Sequence, residues 1–301
     1  MTLTKILVAG SANLDFVVRA PHIPGPGETV LGRGFRTFPG GKGANQAIAC
    51  ARAGGSETEL LLALGDDRFA APIEESLKAA GVRMHLVRIR EEPTGTAFIC
   101  VSDDAENAIT VAPGANSHLR ASHLPALDGF THLLLQLETP IETVLAYARA
   151  ACSSRVKVVL NAAPARALPP ELLPLLDVLV VNRGELAVVS GHEGSAEQCL
   201  ERIDVPCVVV TLGDRGSCAR AGGEMIMQGG FAVMPVDTTA AGDAFCGMLV
   251  ASLSQGLPLR DALRRANAAG ALTCTKPGAQ SSIPTRAELQ NFLESQANDR
   301  R

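Results

Sequence analysis

In HLLLQLETPIETVLAYARAACSSRVKVVL (132–160), a short apolar run, HLLLQL, is followed by IETVLAYARAA (141–151), and then by a second apolar run, VKVVL (156–160). The two runs are continuously apolar rather than alternating, as expected of strands covered on both faces. The middle piece reads as a helix. Strand, helix, strand is the unit from which parallel sheets are built. The same pattern extends in both directions. Further short apolar runs are KILVA (5–9), TELLLAL (58–64), DVLVV (177–181) and CVVVT (207–211), and helix-like stretches lie at 44–54, 69–81 and 195–203. The last third is helical, through AFCGMLVASLSQG, LRDALRRANAAGALT and TRAELQNFLESQ. The expected fold is a Rossmann-like, three-layer α/β domain with a mainly parallel central sheet.

Residues 14–38 and 94–112 break the alternation. Each reads as a pair of strands without an intervening helix, with turns supplied by GPG (25–27) and SDDAEN (102–107). Together they predict a small β-sheet inserted into a single domain spanning 1–301. The whole chain has 47% hydrophobic and 19% charged residues, enough to fill a sizeable core, and a formal net charge of −4. That charge argues against a general nucleic-acid binder and for a small-molecule partner. The eight cysteines stand singly, with no C-x-x-C pair, and read as reduced thiols of a cytoplasmic protein. The first apolar run is too short for a secretion signal, and no segment approaches the ~20 apolar residues that span a bilayer.

Three motifs carry chemistry. TFPGGKGANQA (37–47) places Lys42 in a glycine turn, which invites a phosphate-loop reading. A Walker A loop needs G-x-x-x-x-G-K-[ST], and here Arg36 and Gly43 occupy the first glycine and the hydroxyl positions. Nor does VAGSANLD (8–15) supply a dinucleotide fingerprint. The loop is either a plain turn into a helix, or one in which glycines 40, 41 and 43 leave room for a ligand against the backbone. VDTTAAGDAFCGMLVASL (236–253) sets small residues and Asp243 at the start of an apolar helix. Free N–H groups there can receive an anion, and a carboxylate can polarise an attacking hydroxyl. Asp243 could equally be present only to favour the helix N-terminus. In GSANLD, Asn13 and Asp15 project to the same side of an extended chain, an amide and a carboxylate suited to adjacent hydroxyls, or else a simple strand-end turn. TLGDRG (211–216) and NRGE (182–185) follow buried strands, where ligands of open α/β sheets collect.

In order and spacing, these motifs resemble the ribokinase (PfkB) family of carbohydrate kinases. The resemblance also takes in PGETV, GDD (65–67), TGTA, LQLE, LNAAPAR and KPGAQSSIP (276–284), nearly the whole chain. It implies that the small sheet is a lid, which in such proteins commonly pairs with a second copy to make a homodimer. It implies transfer of the ATP γ-phosphoryl group to the primary 5-hydroxyl of D-ribose, with Asp243 as base and the N–H groups of Ala240, Ala241 and Gly242 as anion hole. Asn13, Asp15, Gly41, Lys42, Asn45 and Glu138 would hold the sugar. Thr211, Gly213 and Gly216, with Asn182 and Asn267, would bound the ATP site, and Glu185 would organise Mg²⁺ through water. A monovalent cation, K⁺, would sit among Asp237, Thr239, Thr273, Lys276, Gly278 and Ser282, with Lys276 offering its carbonyl and turning its ammonium away. Asn267 stands where some such proteins have histidine. The alternatives are a kinase for deoxyribose, fructose or pseudouridine, and a non-catalytic sugar-binding protein on the same fold. The low aromatic content, 3%, speaks against a stacked nucleobase.

Overall fold

The structure, a computed structural model, describes residues 4–104 and 106–298. In chain order its strands are β1 (Lys5–Ala9), β2 (Asn13–Ala20), β3 (Arg33–Gly40), β4 (Glu57–Gly65), β5 (Arg83–Ile89), β6 (Gly95–Ser102), β7 (Asn107–Ala112), β8 (Phe130–Leu135), β9 (Lys157–Asn161), β10 (Val178–Asn182), β11 (Cys207–Thr211), β12 (Ser217–Ala221) and β13 (Glu224–Gln228). The helices are α1 (Lys42–Ile48), α2 (Ala70–Ala79), α3 (Ile141–Ser153), α4 (Arg183–Ser190), α5 (Ala196–Glu201), α6 (Ala241–Ser254), α7 (Leu259–Thr273) and α8 (Arg286–Asn298). One wide helical turn, Ala49–Ala53, prolongs α1.

Nine strands form the main sheet, in the order β13-β12-β11-β10-β9-β8-β1-β4-β5. From β5 to β11 every pairing is parallel, and β12 and β13 close one edge antiparallel. The continuously apolar strands are explained by two cores, one on each face. In β1, Ile6 and Val8 enter a core with Ile48 of α1, Leu77 of α2, Leu249 of α6 and Leu263 of α7. Leu7 and Ala9 point the other way, towards Val144 and Tyr147 of α3, Leu186 of α4 and Leu200 of α5. This gives three layers, helix–sheet–helix. β5, β12 and β13 lack a long apolar run because they lie at or near the sheet edges. The turn between β12 and β13 is Gly222–Gly223, both at positive φ (58° and 82°), the backbone that tight hairpins require.

A second, four-stranded sheet has the order β3-β2-β6-β7, with β2 parallel to β6 and the outer pairs antiparallel. Its strands supply the inserted pairs at 14–38 and 94–112. One face carries Phe16, stacked on Phe35 and Phe98 with ring centroids 6.1 and 5.4 Å away, and meeting Phe69 edge-on. The other face, with Asp15, Val17, Ile99 and Ile109, overhangs the carboxyl end of the main sheet. There β1 has β4 on one side and β8 on the other, so the chain winds away in both directions from its end. Open sheets bind ligands at such switch points.

Candidate active site

The chain leaving β1 runs Gly10–Ser11–Ala12–Asn13 beneath α1, and the glycines of the 40–43 turn serve this contact. A Cβ on Gly43 would lie 2.6 Å from the Ser11 nitrogen, and one on Gly41, whose φ is 88°, would lie 2.7 Å from the Ala12 Cα. A Cβ on Gly40 would strike the Asp15 carboxylate. These glycines therefore make room for the protein's own backbone and for Asp15. That corrects the expectation that they make room for a ligand, although Gly41 still borders the larger cavity.

Two cavities meet at Asp243. The larger, about 770 Å³, lies between the lid and the main sheet and is lined by Asn13, Asp15, Gly41, Lys42, Asn45, Glu138, Ala240 and Asp243. Its lid wall is aliphatic, from Ile99, Ile109 and Val111. The smaller, about 180 Å³, is lined by Lys42, Asn182, Glu185, Thr211, Ala240, Gly242 and Asp243, with Asn161 and Cys246 at its floor. Lys42, Ala240 and Asp243 border both.

Asn13 and Glu138 in the larger cavity are positioned from below. Asn116 accepts from the Ala12 N–H (3.0 Å) and donates to Asn13 Oδ1 (2.8 Å), fixing that amide. Ser11 Oγ donates to Glu138 Oε2 at 2.5 Å, and the Lys42 N–H donates to the same oxygen at 3.1 Å. Asp15 is buried, and its carboxyl is pushed up to about 7 by burial and by the nearby charges of Glu138 and Asp243, against the opposing pull of Lys42. Burial alone would lower the Lys42 ammonium, but Asp243, Glu138 and Glu185 surround it and hold its pKa above the ordinary value. Asp67 accepts from the N–H (2.7 Å) and hydroxyl (2.9 Å) of Thr94, and the Thr94 hydroxyl also accepts from the Gly65 N–H (3.0 Å). GDD and TGTA thus tie the end of β4 to the foot of the lid.

Asp243 receives two amides from α1. Asn45 Nδ2 donates to Oδ2 and Gln46 Nε2 to Oδ1, each at 2.9 Å. The carboxylate stands in the first turn of α6, whose N-cap, Ala240, holds a left-handed φ of 61°. A non-glycine residue there is strained backbone of the kind that gathers at functional sites. The Gly242 and Asp243 N–H groups have no backbone acceptor among the described residues, whereas the Ala241 N–H is drawn to the Thr238 carbonyl at 3.3 Å. A Cβ on Gly242 would meet nothing within 4 Å. The helix start is open to an anion.

Asn182 and Glu185 form a reciprocal cap on α4: each side chain accepts from the other's N–H at 2.8 Å. This leaves one Glu185 oxygen for the smaller cavity. Its carboxyl is raised by burial and by Asp243, more than the Asn182 N–H and Lys42 lower it. Gly213 and Gly216, both at positive φ, shape the turn after β11 but do not line either cavity. Asn267 donates to the carbonyls of Gln228 and Gly229 (3.2 and 3.4 Å), holding the end of β13 near that turn. Further along, Asp237 accepts from the N–H groups of Thr239 and Gly278, both at 2.9 Å, and so joins the 237–239 and 276–278 loops. The Lys276 ammonium pairs with Glu288 at 2.5 Å. The Thr273 and Ser282 hydroxyls donate to the carbonyls of Ala269 and Ala279.

The reading of sequence motifs passed over Gln46, Gln136, Asn161 and Asn116. A signal was available, because Gln136 interrupts the apolar run HLLLQL just past the end of β8, and a buried polar side chain must find a partner.

A carboxylate at the junction of two cavities, beside open helix N–H groups and a buried ammonium, has the make-up of a phosphotransferase acting on a hydroxyl group. The chain matches the pfkB family carbohydrate kinase model over residues 3–286, and it belongs to that family. It is 39% identical to a ribokinase of Haemophilus influenzae, covering 96% of this chain and 98% of that one. With a Bacillus subtilis ribokinase the identity is 35%, over 97% and 100%. Among solved structures, ribokinase from Thermotoga maritima matches with TM-score 0.90 and 36% identity, over 97% and 99% of the two chains. Arabidopsis thaliana ribokinase complexed with ribose and ATP matches with TM-score 0.88 and 31% identity, over 98% and 99%.

Proposed function

We propose that this protein is an ATP-dependent sugar kinase that phosphorylates the 5-hydroxyl of D-ribose to give D-ribose 5-phosphate. The observation that carries the reading is Asp243, a carboxylate oriented by two amides where the two cavities join. The larger cavity takes the sugar, with Asn13, Asp15, Glu138 and Asn45 on its hydroxyls. Asp243 accepts the proton of the hydroxyl that attacks. The Gly242 and Asp243 N–H groups meet the charge on the phosphoryl oxygens, with Ala241 contributing less because Thr238 already holds its N–H. Lys42 borders both cavities and offsets the charge that collects between them.

The nucleotide would lie over Thr211 and the 213–216 turn, with Asn182 at its phosphates and Asn267 supporting the wall. No group of three or more His, Cys, Asp or Glu side chains able to hold a metal occurs among the described residues. Mg²⁺ therefore fits as an ion carried on the nucleotide phosphates, with Glu185 reaching it through water; bound there, it neutralises phosphate charge. A monovalent cation would fit beside Asp237, because Glu288 takes the Lys276 ammonium away, and main-chain carbonyls of the loops that Asp237 joins would be its ligands. Such an ion would add positive charge behind the helix start.

The exposed aromatic face of the lid supports pairing with a second copy: Phe35 is 64% and Phe98 54% exposed. No described helix is long and apolar enough to cross a membrane. The test is ATP-dependent turnover of ribose followed by ADP release, with and without K⁺, against a panel of deoxyribose, fructose, pseudouridine and other nucleosides. Absence of ribose turnover overturns the ribose assignment. A nucleoside preferred over ribose would instead assign the aliphatic lid wall to a base.

A further inference from the structure

Gln46 is fully buried and makes three side-chain hydrogen bonds. Its Nε2 donates to Asp243 Oδ1 and to Asn161 Oδ1, both at 2.9 Å, and its Oε1 accepts from Gln136 Nε2 at 2.7 Å. Amide orientation is a matter of assignment wherever either end could face either neighbour. Here it is determined. The Val180 carbonyl can only accept, so Asn161 must present its Nδ2 there, at 3.2 Å. That turns Asn161 Oδ1 towards Gln46. An ionised Asp243 also only accepts. Gln46 must therefore offer its NH₂ to both oxygens and keep Oε1 for Gln136. The cost appears at the far end of the relay, where Gln136 Oε1 is buried with no hydrogen-bond partner. The chain also makes space for it, since a Cβ on Gly10 would lie 1.9 Å from that oxygen. A buried, unpaired amide oxygen is expensive, and it is retained because reversing the amides would set oxygen against the Asp243 carboxylate.

We infer that Gln46, aligned by Asn161 and Gln136, is a positioning residue that fixes the rotamer of the Asp243 carboxylate. The inference rests on the reading of Asp243 as the base. Gln46 reaches neither cavity among the described linings, so it acts only through Asp243. With Nε2 on Oδ1 and Asn45 on Oδ2, the carboxylate is held in one orientation.

The test is Gln46→Met, close in volume and without hydrogen-bonding groups, with kcat and the KM for ribose measured at saturating ATP. A freed carboxylate should lower kcat by tenfold or more, on the order of the loss that small misplacements cause, and leave the ribose KM near the wild-type value. Gln136→Met removes the unpaired oxygen together with the donor to Gln46 Oε1, which loosens Gln46 without reversing its amide, so it should lower kcat by less. Ribose affinity by calorimetry and thermal melting report whether each variant is folded. A kcat near wild type in folded Gln46→Met, or an effect confined to the ribose KM, overturns the inference. Asp243→Asn, measured beside it, separates the two readings: if that variant keeps turnover, the assignment of the base itself fails.

Discussion

Replacing Asp15 by asparagine should stabilise the protein above pH 7 and weaken its hold on the sugar. Asp15 is 7% exposed, faces the Glu138 and Asp243 charges, and has its carboxyl raised from 3.8 to about 7. In the unfolded chain the group ionises near 3.8. Between those values the folded state holds a proton that the unfolded state has lost, so stability falls as pH rises. At about 1.36 kcal/mol per pH unit, the interval amounts to up to about 4 kcal/mol, reached once the pH passes 7. Asparagine carries no charge and escapes this cost. For a chain of this length, an unfolding entropy of about 0.6 kcal/mol/K converts that difference to about 6 °C in Tm. Scanning calorimetry of both proteins from pH 4 to pH 8 should show a gap that is small near pH 4, widens steadily and levels off above pH 7. Ribose should raise the Tm of the wild type and leave that of the variant nearly unmoved. A gap absent at pH 8, or equally wide at pH 4, would refute the assignment of the strained charge to Asp15.

Asp243→Asn should reduce kcat by about 10²–10⁴-fold while calorimetry still detects ribose binding. Gly41→Ala and Gly242→Ala should separate fold from chemistry. The first drives a Cβ into the backbone after β1 at a positive φ and should lower stability by about 1–3 kcal/mol in denaturant melts. The second has open space, so it should melt like the wild type but lose turnover by obstructing the helix start. Asp237→Asn, which weakens the join between the 237–239 and 276–278 loops, should raise the K⁺ concentration that half-activates the enzyme in steady-state assays.

The layered architecture was legible because its causes are local. Strands such as LVV and VVV, buried on both faces, must be apolar throughout, and the helices between them carry their own spacing, so HLLLQL, IETVLAYARAA and VKVVL predict β8, α3 and β9 directly. β5 was hidden because it lies at the sheet edge, with arginines at 83 and 88 in its run. β12 and β13 were hidden for the same reason, although Gly222–Gly223 marked their hairpin. Motif spacing likewise named Asp243, Lys42, Asn13 and Asp15, since each sits at the end of a strand or the start of a helix where its type has a use. What spacing could not supply is who faces whom. Gln46 and Asp243 are 197 residues apart and share a hydrogen bond only because α1 and α6 pack on the same side of the sheet. The glycines of 40–43 show the same limit. Their composition fits a ligand cradle and a close backbone contact equally well, and only the position of the chain leaving β1, with Asp15 beyond it, shows that they serve the contact. Residue type and periodicity fix the elements and mark the reactive groups. The direction of an amide, the burial of a carboxylate and the meeting of two cavities arise from long-range packing, which no local pattern encodes.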